Sequence, residues 1–256
     1  MDKRFWEIDA LRGVAILMMV LYHLLYDLAY FGGYDIDVYS GFWRYFARAT
    51  ASLFILLVGV SLTRSRRAAT GTKHPESGRL RVSLGLFPKY LKRGLRIFGW
   101  GLVITLFTWL LTPEGTVVFG ILHFIGLSVV LAYPFLQIRG WNLVLGLAAI
   151  VLGVYLQDVT VGFPWLLWLG LRPEHFATFD YFPVLPWFGL TLWGVFCGSW
   201  FYANDRRRLA LPDLSACAPI RLLRFLGRHS LAVYMLHQPA LIAALYLVGI
   251  IRINLL

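Results

Sequence analysis

The sequence predicts an all-α polytopic membrane protein with about seven transmembrane helices, on the basis of its composition and its apolar runs. Of its 256 residues, 59% are hydrophobic and only 14% are charged, whereas soluble domains carry about 25% charged residues. Seven apolar runs approach or exceed the roughly 20 residues that a helix needs to cross a bilayer. The net charge of +11 falls largely in the connections between these runs, so we expect no nucleic acid partner.

The predicted spans follow one another without an internal repeat, and we therefore expect a single domain over residues 1–256. The third run is over-long, and the basic residues that follow its Phe87-Pro88 step predict an amphipathic lead-in helix at the membrane interface. The apolar stretch from Phe163 to Trp168 is too short to cross and predicts a lid or a re-entrant segment. In chain order, the spans are Ala10–Tyr30, Phe42–Thr63, Leu84–Leu111, Val117–Leu136, Trp141–Leu156, Val184–Ala203 and Ser230–Ile250.

Lysine and arginine residues in the short connections predict the orientation, because such residues accumulate on the cytoplasmic side. With seven spans, all the basic segments fall on one side, so we expect this side and the N-terminus to be cytoplasmic. We expect the membrane to be a prokaryotic plasma membrane. These segments are Lys3-Arg4, the Arg64–Arg81 connection, Arg139 and the Asn204–Arg228 connection. Cys197 and Cys217 lie in a predicted span and in a basic loop, so we expect neither a disulfide nor a metal site.

The first span carries the strongest functional signal in the sequence. Arg12 and His23 are eleven residues apart, which is three helical turns plus about 20°, so they share one face of the helix. Asp9 and Asp27 fall within about 60° of the same line. Ionisable groups inside a span cost several kcal/mol unless they face the bundle interior or a wet cavity. The stripe therefore predicts a functional site or a buried partner.

Three polar side chains on other spans lie near the same predicted depth. His23 lies about 20 Å from the cytoplasmic end of its span, and Arg48 and His123 each lie about 9 Å from the outer ends of theirs. His237 lies near the middle of the seventh span. We expect these groups to converge on a polar pocket that is open to the outside.

Five motifs in chain order carry a resemblance to a known family. The first is Ile8–Gly13 followed by His23, which resembles the pattern of arginine, ten residues and histidine on the first helix of transmembrane acyltransferases. The other four are Phe54–Ser61, Phe119–Gly126, Asp180–Gly189 and Ser230–Pro239. Within that superfamily, the chain most resembles the catalytic-domain family of heparan-α-glucosaminide N-acetyltransferases and its small prokaryotic relatives.

The resemblance implies a membrane acetyltransferase that moves acetyl from cytosolic acetyl-CoA to an extracytoplasmic sugar acceptor. The acceptor group is either a glucosamine-type amine or a glycan hydroxyl. His23 is implied as the catalytic base, and Arg12 as its partner towards the CoA side. The animal enzymes use a histidine in the first lumenal loop, whereas residues 31–41 here contain none. Either the chemistry has moved onto the helix or the acceptor differs.

Acetyl transfer needs a base that is neutral near pH 7, donors for the oxyanion and cations for the CoA phosphates. Imidazole can serve as the base. Arginine or tyrosine can donate to the oxyanion, and arginine can bind the CoA phosphates. The catalytic candidates are His23, Asp27, His123 and His237, and the candidates for binding the donor or its oxyanion are Arg12, Arg48 and Tyr234. Asp27, at i+4 from His23, is expected to orient that imidazole. Direct transfer and an acetyl-histidine intermediate both remain open.

Other functions use the same residue types. A transporter or proton relay also needs buried histidine, arginine and aspartate, and histidines such as His23 and His123 on facing helices can ligate haem. An inactive relative that binds lipid or a partner protein is a further alternative, and each polar group can instead make only a structural hydrogen bond. Asp180 and Tyr181 are candidates for contact with the acceptor. The expected partners are acetyl-CoA, a sugar acceptor and membrane lipids, with a homodimer as one open arrangement and no metal.

Overall fold

The computed structural model describes residues 5–70, 84–138, 140–202 and 207–251. Within these ranges the chain is helical, with short 3-10 turns and two isolated β-bridges but no β-strand. This confirms the predicted all-α class. The helices are α1 (Trp6–Tyr30), α2 (Gly41–Thr70), α3 (Phe87–Leu111), α4 (Ile121–Leu131), α5 (Trp141–Leu156), α6 (Val184–Phe201), α7 (Ala218–Arg228) and α8 (Ser230–Leu247).

Five of these helices are long and apolar enough to cross a membrane, namely α1, α2 up to Ser65, α3, α6 and α8. The helices at the fourth and fifth predicted spans, α4 and α5, are shorter, with 11 and 16 residues. The fourth predicted span is wrong in its bounds, because Gly120 is extended and a 3-10 turn replaces the helix from Pro134. At 1.5 Å per residue, α4 covers about 17 Å, well under the thickness of a bilayer core.

The predicted lead-in to the third span is not a separate helix. Pro88 lies in the first turn of α3, where its missing N–H costs nothing, and α3 then continues without a break to Leu111. The markedly amphipathic helix of the described chain is instead α7. Its arginines, such as Arg221 and Arg228, alternate with exposed Leu222 and Phe225. The sequence prediction had counted this segment as part of a basic loop.

The segment expected to form a lid is a series of turns that is tied to the start of α6. Trp168 and Leu169 accept backbone hydrogen bonds from Val184 and Leu185 at 2.8 and 3.0 Å. The carbonyl of Leu167 accepts one from the Tyr181 hydroxyl at 2.8 Å. These bonds hold the turns against the chain that leads into α6.

The orientation of the chain stays a prediction. The basic residues Lys3, Arg4, Lys73, Arg79, Arg81, Arg139 and Arg206 lie outside the described residues, as does His74.

The contacts of the chain group into two compact units, although the sequence predicted one domain. Unit 1 comprises Met1–Phe54 and Leu211–Leu256, and it contains α1, the first part of α2, α7 and α8. Unit 2 comprises Ile55–Ala210. Its core is formed by buried side chains of α2, α3, α4 and α6, including Ile55, Leu62, Tyr90, Phe124, Val129, Leu192 and Val195.

In unit 1, α1 and α7 approach each other through glycines. A Cβ at Gly227 would collide with the carbonyl oxygen of Asp9, and a Cβ at Gly13 would collide with that of Leu223. Both neighbours are backbone atoms, so a larger side chain would push the helices apart. Small residues allow this close packing, which matters in a membrane because dispersion contacts replace the hydrophobic effect between helices.

Candidate active site

Two of the predicted histidines meet in unit 1, where α1 and α8 face each other. The rings of His23 and His237 are 4.7 Å apart between centroids and nearly perpendicular. His23 Nδ1 lies 2.9 Å from the carbonyl oxygen of Met19, and His237 Nδ1 lies 2.6 Å from that of Tyr234. A carbonyl can only accept, so each Nδ1 carries the hydrogen of the neutral ring. Each Nε2 therefore presents a lone pair.

The surroundings of His237 make this lone pair unusual. Its Nε2 atom is buried and has no hydrogen-bond partner among the described residues. Buried polar atoms in folded proteins are nearly always paired with protein or with ordered water, so this atom is available as an acceptor for water or for a ligand. The edge-on ring of His23 beside it brings two imidazoles to one point of the helix interface.

Asp27 lies one turn beyond His23 on α1, and no hydrogen bond between the two side chains is seen in the described structure. Its side chain is fully buried, and Oδ1 accepts a hydrogen bond from the Gln238 side-chain amide at 2.5 Å. The predicted orientation of His23 by Asp27 is therefore wrong as a contact, because Met19 takes the Nδ1 hydrogen and Gln238 takes the carboxylate. Whether Asp27 takes part in catalysis stays a prediction.

Arg12 is held at the other end of the same helix face. Its Nη1 lies 3.2 Å from Asp9 Oδ1 and 3.3 Å from the carbonyl oxygen of Gly227. Arg228 Nε lies 3.2 Å from the second oxygen of Asp9. Asp9 therefore holds two guanidinium groups side by side where α1 meets α7. These contacts give Arg12 a structural role, and phosphate binding by Arg12 stays a prediction.

The remaining candidates of unit 1 differ in their surroundings. The ring of Tyr234 lies 5.6 Å from that of His237, and its backbone carbonyl accepts the His237 hydrogen bond. Arg48 is exposed on α2, and no polar contact of this side chain is seen in the described part of the chain. The structure thus places Tyr234 beside the histidine pair. It supplies no support for a binding role of Arg48.

His123 belongs to unit 2 and has a different environment. The backbone N–H of Gly120 donates to His123 Nδ1 at 3.2 Å, so the hydrogen of the neutral ring is on Nε2. That atom lies 3.3 Å from the hydroxyl oxygen of Thr105, which itself donates to the carbonyl of Val117 at 2.6 Å. Both ring nitrogens are therefore engaged. A metal or haem bond would have to replace one of these hydrogen bonds.

The ring of His123 is also tightly enclosed. It is 1% exposed and packs edge-on against Phe98 and stacked on Phe119. A Cβ at Gly101 would lie 2.9 Å from its Nδ1 atom, so α3 needs glycine there. This arrangement favours a structural role for His123 over the catalytic role predicted from the sequence.

Asp180 lies beside the same helix terminus. Its Oδ2 atom accepts a hydrogen bond from the backbone N–H of Ile121 at 2.8 Å, which satisfies a free donor in the first turn of α4. Burial raises the pKa of Asp180 to about 6. The hydroxyl of Tyr181 is bonded to Leu167. Both residues predicted to contact the acceptor thus make hydrogen bonds within the local structure.

The sequence prediction missed Gln238, Thr105 and Arg228. Gln238 had a usable signal, because it is a polar residue next to His237 in an apolar helix. Thr105 and Arg228 had none, since only the folded chain brings them to His123 and Asp9. In the ranges that the structure describes, no three His, Cys, Asp or Glu side chains are grouped to hold a metal ion.

Five long apolar helices and a histidine pair inside them define an integral membrane protein with a polar site between its helices. The family model described as heparan-alpha-glucosaminide N-acetyltransferase, catalytic, matches residues 4–239, and the chain belongs to this family. No curated protein and no solved structure gives a significant match. The predicted family is therefore confirmed, and with it the class of a membrane acetyltransferase.

Proposed function

We propose that this protein transfers acetyl from cytosolic acetyl-CoA to an amino or hydroxyl group of a sugar on the far side of a prokaryotic plasma membrane. The family supports the transferase class. The observation that carries the proposal for this chain is the pair of imidazoles, His23 and His237, whose Nδ1 atoms are fixed by carbonyls and whose Nε2 lone pairs remain for a substrate.

His23 is the proposed base. In direct transfer, the acceptor nitrogen or oxygen attacks the thioester carbon, its proton passes to His23 Nε2, and the CoA thiolate leaves. Fixing the Nδ1 hydrogen on a carbonyl sets the tautomer that accepts this proton, a function that a carboxylate serves in other acyl-transfer sites. His237, edge-on to His23, restricts the orientation of that ring and is the proposed second catalytic imidazole.

The guanidinium pair on Asp9 supports binding of the CoA phosphates. Arg12 and Arg228 bring two positive charges to one carboxylate, which leaves a net positive charge, and guanidinium matches phosphate oxygens well. Arg12 and His23 are eleven residues apart, about 16 Å along α1. A donor that binds by its phosphates near Arg12 must therefore reach His23 through its long pantetheine arm.

The proposed topology has seven spans and a cytoplasmic N-terminus, with Arg12 nearer the cytoplasm than His23. It is supported by the order of the two polar clusters along α1 and by the basic connections of the sequence. The orphan Nε2 of His237 supports the fit of a substrate at the outer cluster.

The test is acetyl transfer by protein in detergent and in sealed liposomes. With acetyl-CoA as donor and glucosamine as acceptor, we expect CoA release and an acetylated sugar that mass spectrometry identifies. The His23→Gln variant should fold and lose transfer. A matched control is His229→Gln, since His229 makes the same Nδ1 bond to a carbonyl at 2.9 Å but is exposed.

Failure of the wild-type protein to bind acetyl-CoA by calorimetry, while it remains folded, would overturn the proposal. Equal loss of activity in the His229→Gln control would remove the special position of His23. In liposomes, transfer to acceptor on the side opposite to the donor would distinguish transmembrane from same-side transfer.

A further inference from the structure

Helix α7 packs on the first turns of α1 and leads directly into α8, and both α1 and α8 are long and apolar enough to cross a membrane. Asp9 of α1 meets Arg228 just before α8 begins, and Asp27 of α1 meets Gln238 in the middle of α8. The two long helices therefore run in the same direction and begin at the same end. A helix that lies where two spans begin is at the boundary between the bilayer and water.

The length and charge of α7 suit a helix that lies along this boundary. Its 11 residues cover about 17 Å at 1.5 Å per residue, little more than half of a bilayer core of about 30 Å. The helix contains no acidic residue, and its three arginines are Arg221, Arg224 and Arg228. Crossing the bilayer would bury these charges, whereas a position at the surface leaves them beside the lipid headgroups.

The circumference of α7 divides into three sectors at about 100° per residue. Gly227 and the backbone of Leu223 lie against α1 and form the first sector. The three arginines lie within about 60° of one another and form the second. Leu222 and Phe225, each 58% exposed, form the third, which adjoins the arginine sector. The helix therefore presents positive charge and apolar surface side by side, away from the face that packs on α1.

The arginine sector keeps donors for a phosphate group. Arg221 is exposed, and no polar contact of its side chain is seen in the described part of the chain. Arg224 donates from Nη1 to the carbonyl oxygen of Ser215 at 3.0 Å, and Arg228 donates from Nε to Asp9 at 3.2 Å. A guanidinium group has five N–H donors, so each of these two contacts leaves others available. Guanidinium groups also match the spacing of phosphate oxygens.

We propose that α7 is an interfacial helix that binds an anionic phospholipid of the surrounding bilayer. The lipid phosphate lies on the arginine sector, and an acyl chain covers Leu222 and Phe225. A zwitterionic lipid brings a cation that the arginines repel, and a free phosphate brings no apolar group for the third sector, so the two sectors together select an anionic lipid. The inference does not depend on acetyl transfer, because Arg221 lies outside the guanidinium pair on Asp9.

The test is calorimetric titration of the full-length protein, in an uncharged detergent, with short-chain phosphatidylglycerol and phosphatidylcholine that carry the same acyl chains. We expect the wild-type protein to bind phosphatidylglycerol at least tenfold more tightly than phosphatidylcholine. Arg221→Gln should weaken phosphatidylglycerol binding about fivefold, which is the contribution of one basic residue near an anionic lipid surface. It should leave phosphatidylcholine binding unchanged. Phe225→Ser should weaken binding of both lipids by the same factor, because it removes only apolar contact.

The matched control is Arg44→Gln, which removes an exposed arginine of the same unit on α2. Its affinity for phosphatidylglycerol should equal that of the wild type, which separates a site on α7 from an effect of overall charge. Both substituted arginines are exposed, so these variants should keep the unfolding temperature of the wild type. Equal affinity of the wild type for the two lipids, or an unchanged affinity in Arg221→Gln, would overturn the proposal. Displacement of phosphatidylglycerol by inorganic phosphate at constant ionic strength would identify a site for free phosphate and would also overturn it.

Discussion

His123 and the pair formed by His23 and His237 are all neutral imidazoles inside apolar helices, yet their hydrogen bonds run in opposite directions. At His123, a backbone N–H donates to Nδ1, and Nε2 donates to Thr105, which passes its own hydrogen to a carbonyl. At His23 and His237, Nδ1 donates to a carbonyl of the preceding turn. Both ring nitrogens of His123 are therefore engaged in hydrogen bonds, whereas Nε2 of His23 and of His237 keeps a lone pair.

The difference shows how a polar group in a membrane helix can be assigned to structure or to chemistry. A satisfied ring stabilises the terminus that it caps, and removing it leaves its partners unpaired. An unsatisfied ring is a cost to the folded state that is tolerated where a substrate completes it. The hydrogen bonds of each nitrogen and the burial of the ring have to be considered together, because exposed His229 makes the same Nδ1 bond as His23.

The largest expected effect is the loss of transfer in His23→Gln. A positioned general base contributes about 10²–10⁴-fold to a rate, so we expect a fall in kcat of that size with little change in the unfolding temperature. Acetyl transfer and thermal unfolding in detergent measure the two quantities. A variant that is folded and retains most of its activity would remove His23 from the catalytic role.

His123→Ala should show the reverse pattern. The change empties a buried site and leaves the Gly120 N–H without its acceptor, so we expect a loss of about 3 kcal/mol in the free energy of unfolding. The activity of the protein that remains folded should be close to that of the wild type. A large loss of activity at unchanged stability would make His123 catalytic and end the contrast with His23.

Asp180→Asn tests the second cap on the same helix through pH. Burial raises the pKa of Asp180 from 3.8 to about 6, so between these values the folded chain holds the proton more tightly than the unfolded chain. The stability that this proton gives is complete below about pH 4 and is lost as the pH rises through 6, by about 3 kcal/mol.

The asparagine variant does not titrate and keeps an oxygen for the Ile121 N–H. The difference between the unfolding free energies of the two proteins should therefore change between pH 4 and 6 and be constant from pH 7 to 8. A difference that is independent of pH would show that Asp180 does not hold a raised pKa.

Thr105→Val should have the smallest effect. It removes one side-chain hydrogen bond to His123 and one to Val117 while it keeps the volume of the side chain, and we expect a loss of about 1 kcal/mol in stability with normal activity. Combined with His123→Ala, its effect should be far less than additive, since both changes disrupt one network. Full additivity in a double-mutant cycle would contradict the coupling.

The helical class and the polar face of α1 followed from local properties of the sequence. Apolar run length predicted the long helices, and the helical repeat placed Asp9, Arg12, His23 and Asp27 on one face, where the structure gives each of them a partner on α1 itself, α7 or α8. The bounds of α4 were not predictable from hydropathy. Extended backbone at Gly120 and the Pro134 turn shorten it, although the residues on both sides remain apolar.

The sequence by itself determined the family, the membrane class and the residue types available for chemistry, because motifs, hydropathy and helical periodicity are properties of the chain. The tertiary structure decided which ring nitrogen of each imidazole carries the hydrogen, since that depends on whether a carbonyl or an N–H lies opposite Nδ1. It also decided that Asp27 meets Gln238, 211 residues along the chain, and not the histidine one turn away. Hydrogen-bond direction and distant partners are set only when helices pack, and here they distinguish a histidine with both ring nitrogens engaged from a pair whose Nδ1 atoms alone are bonded.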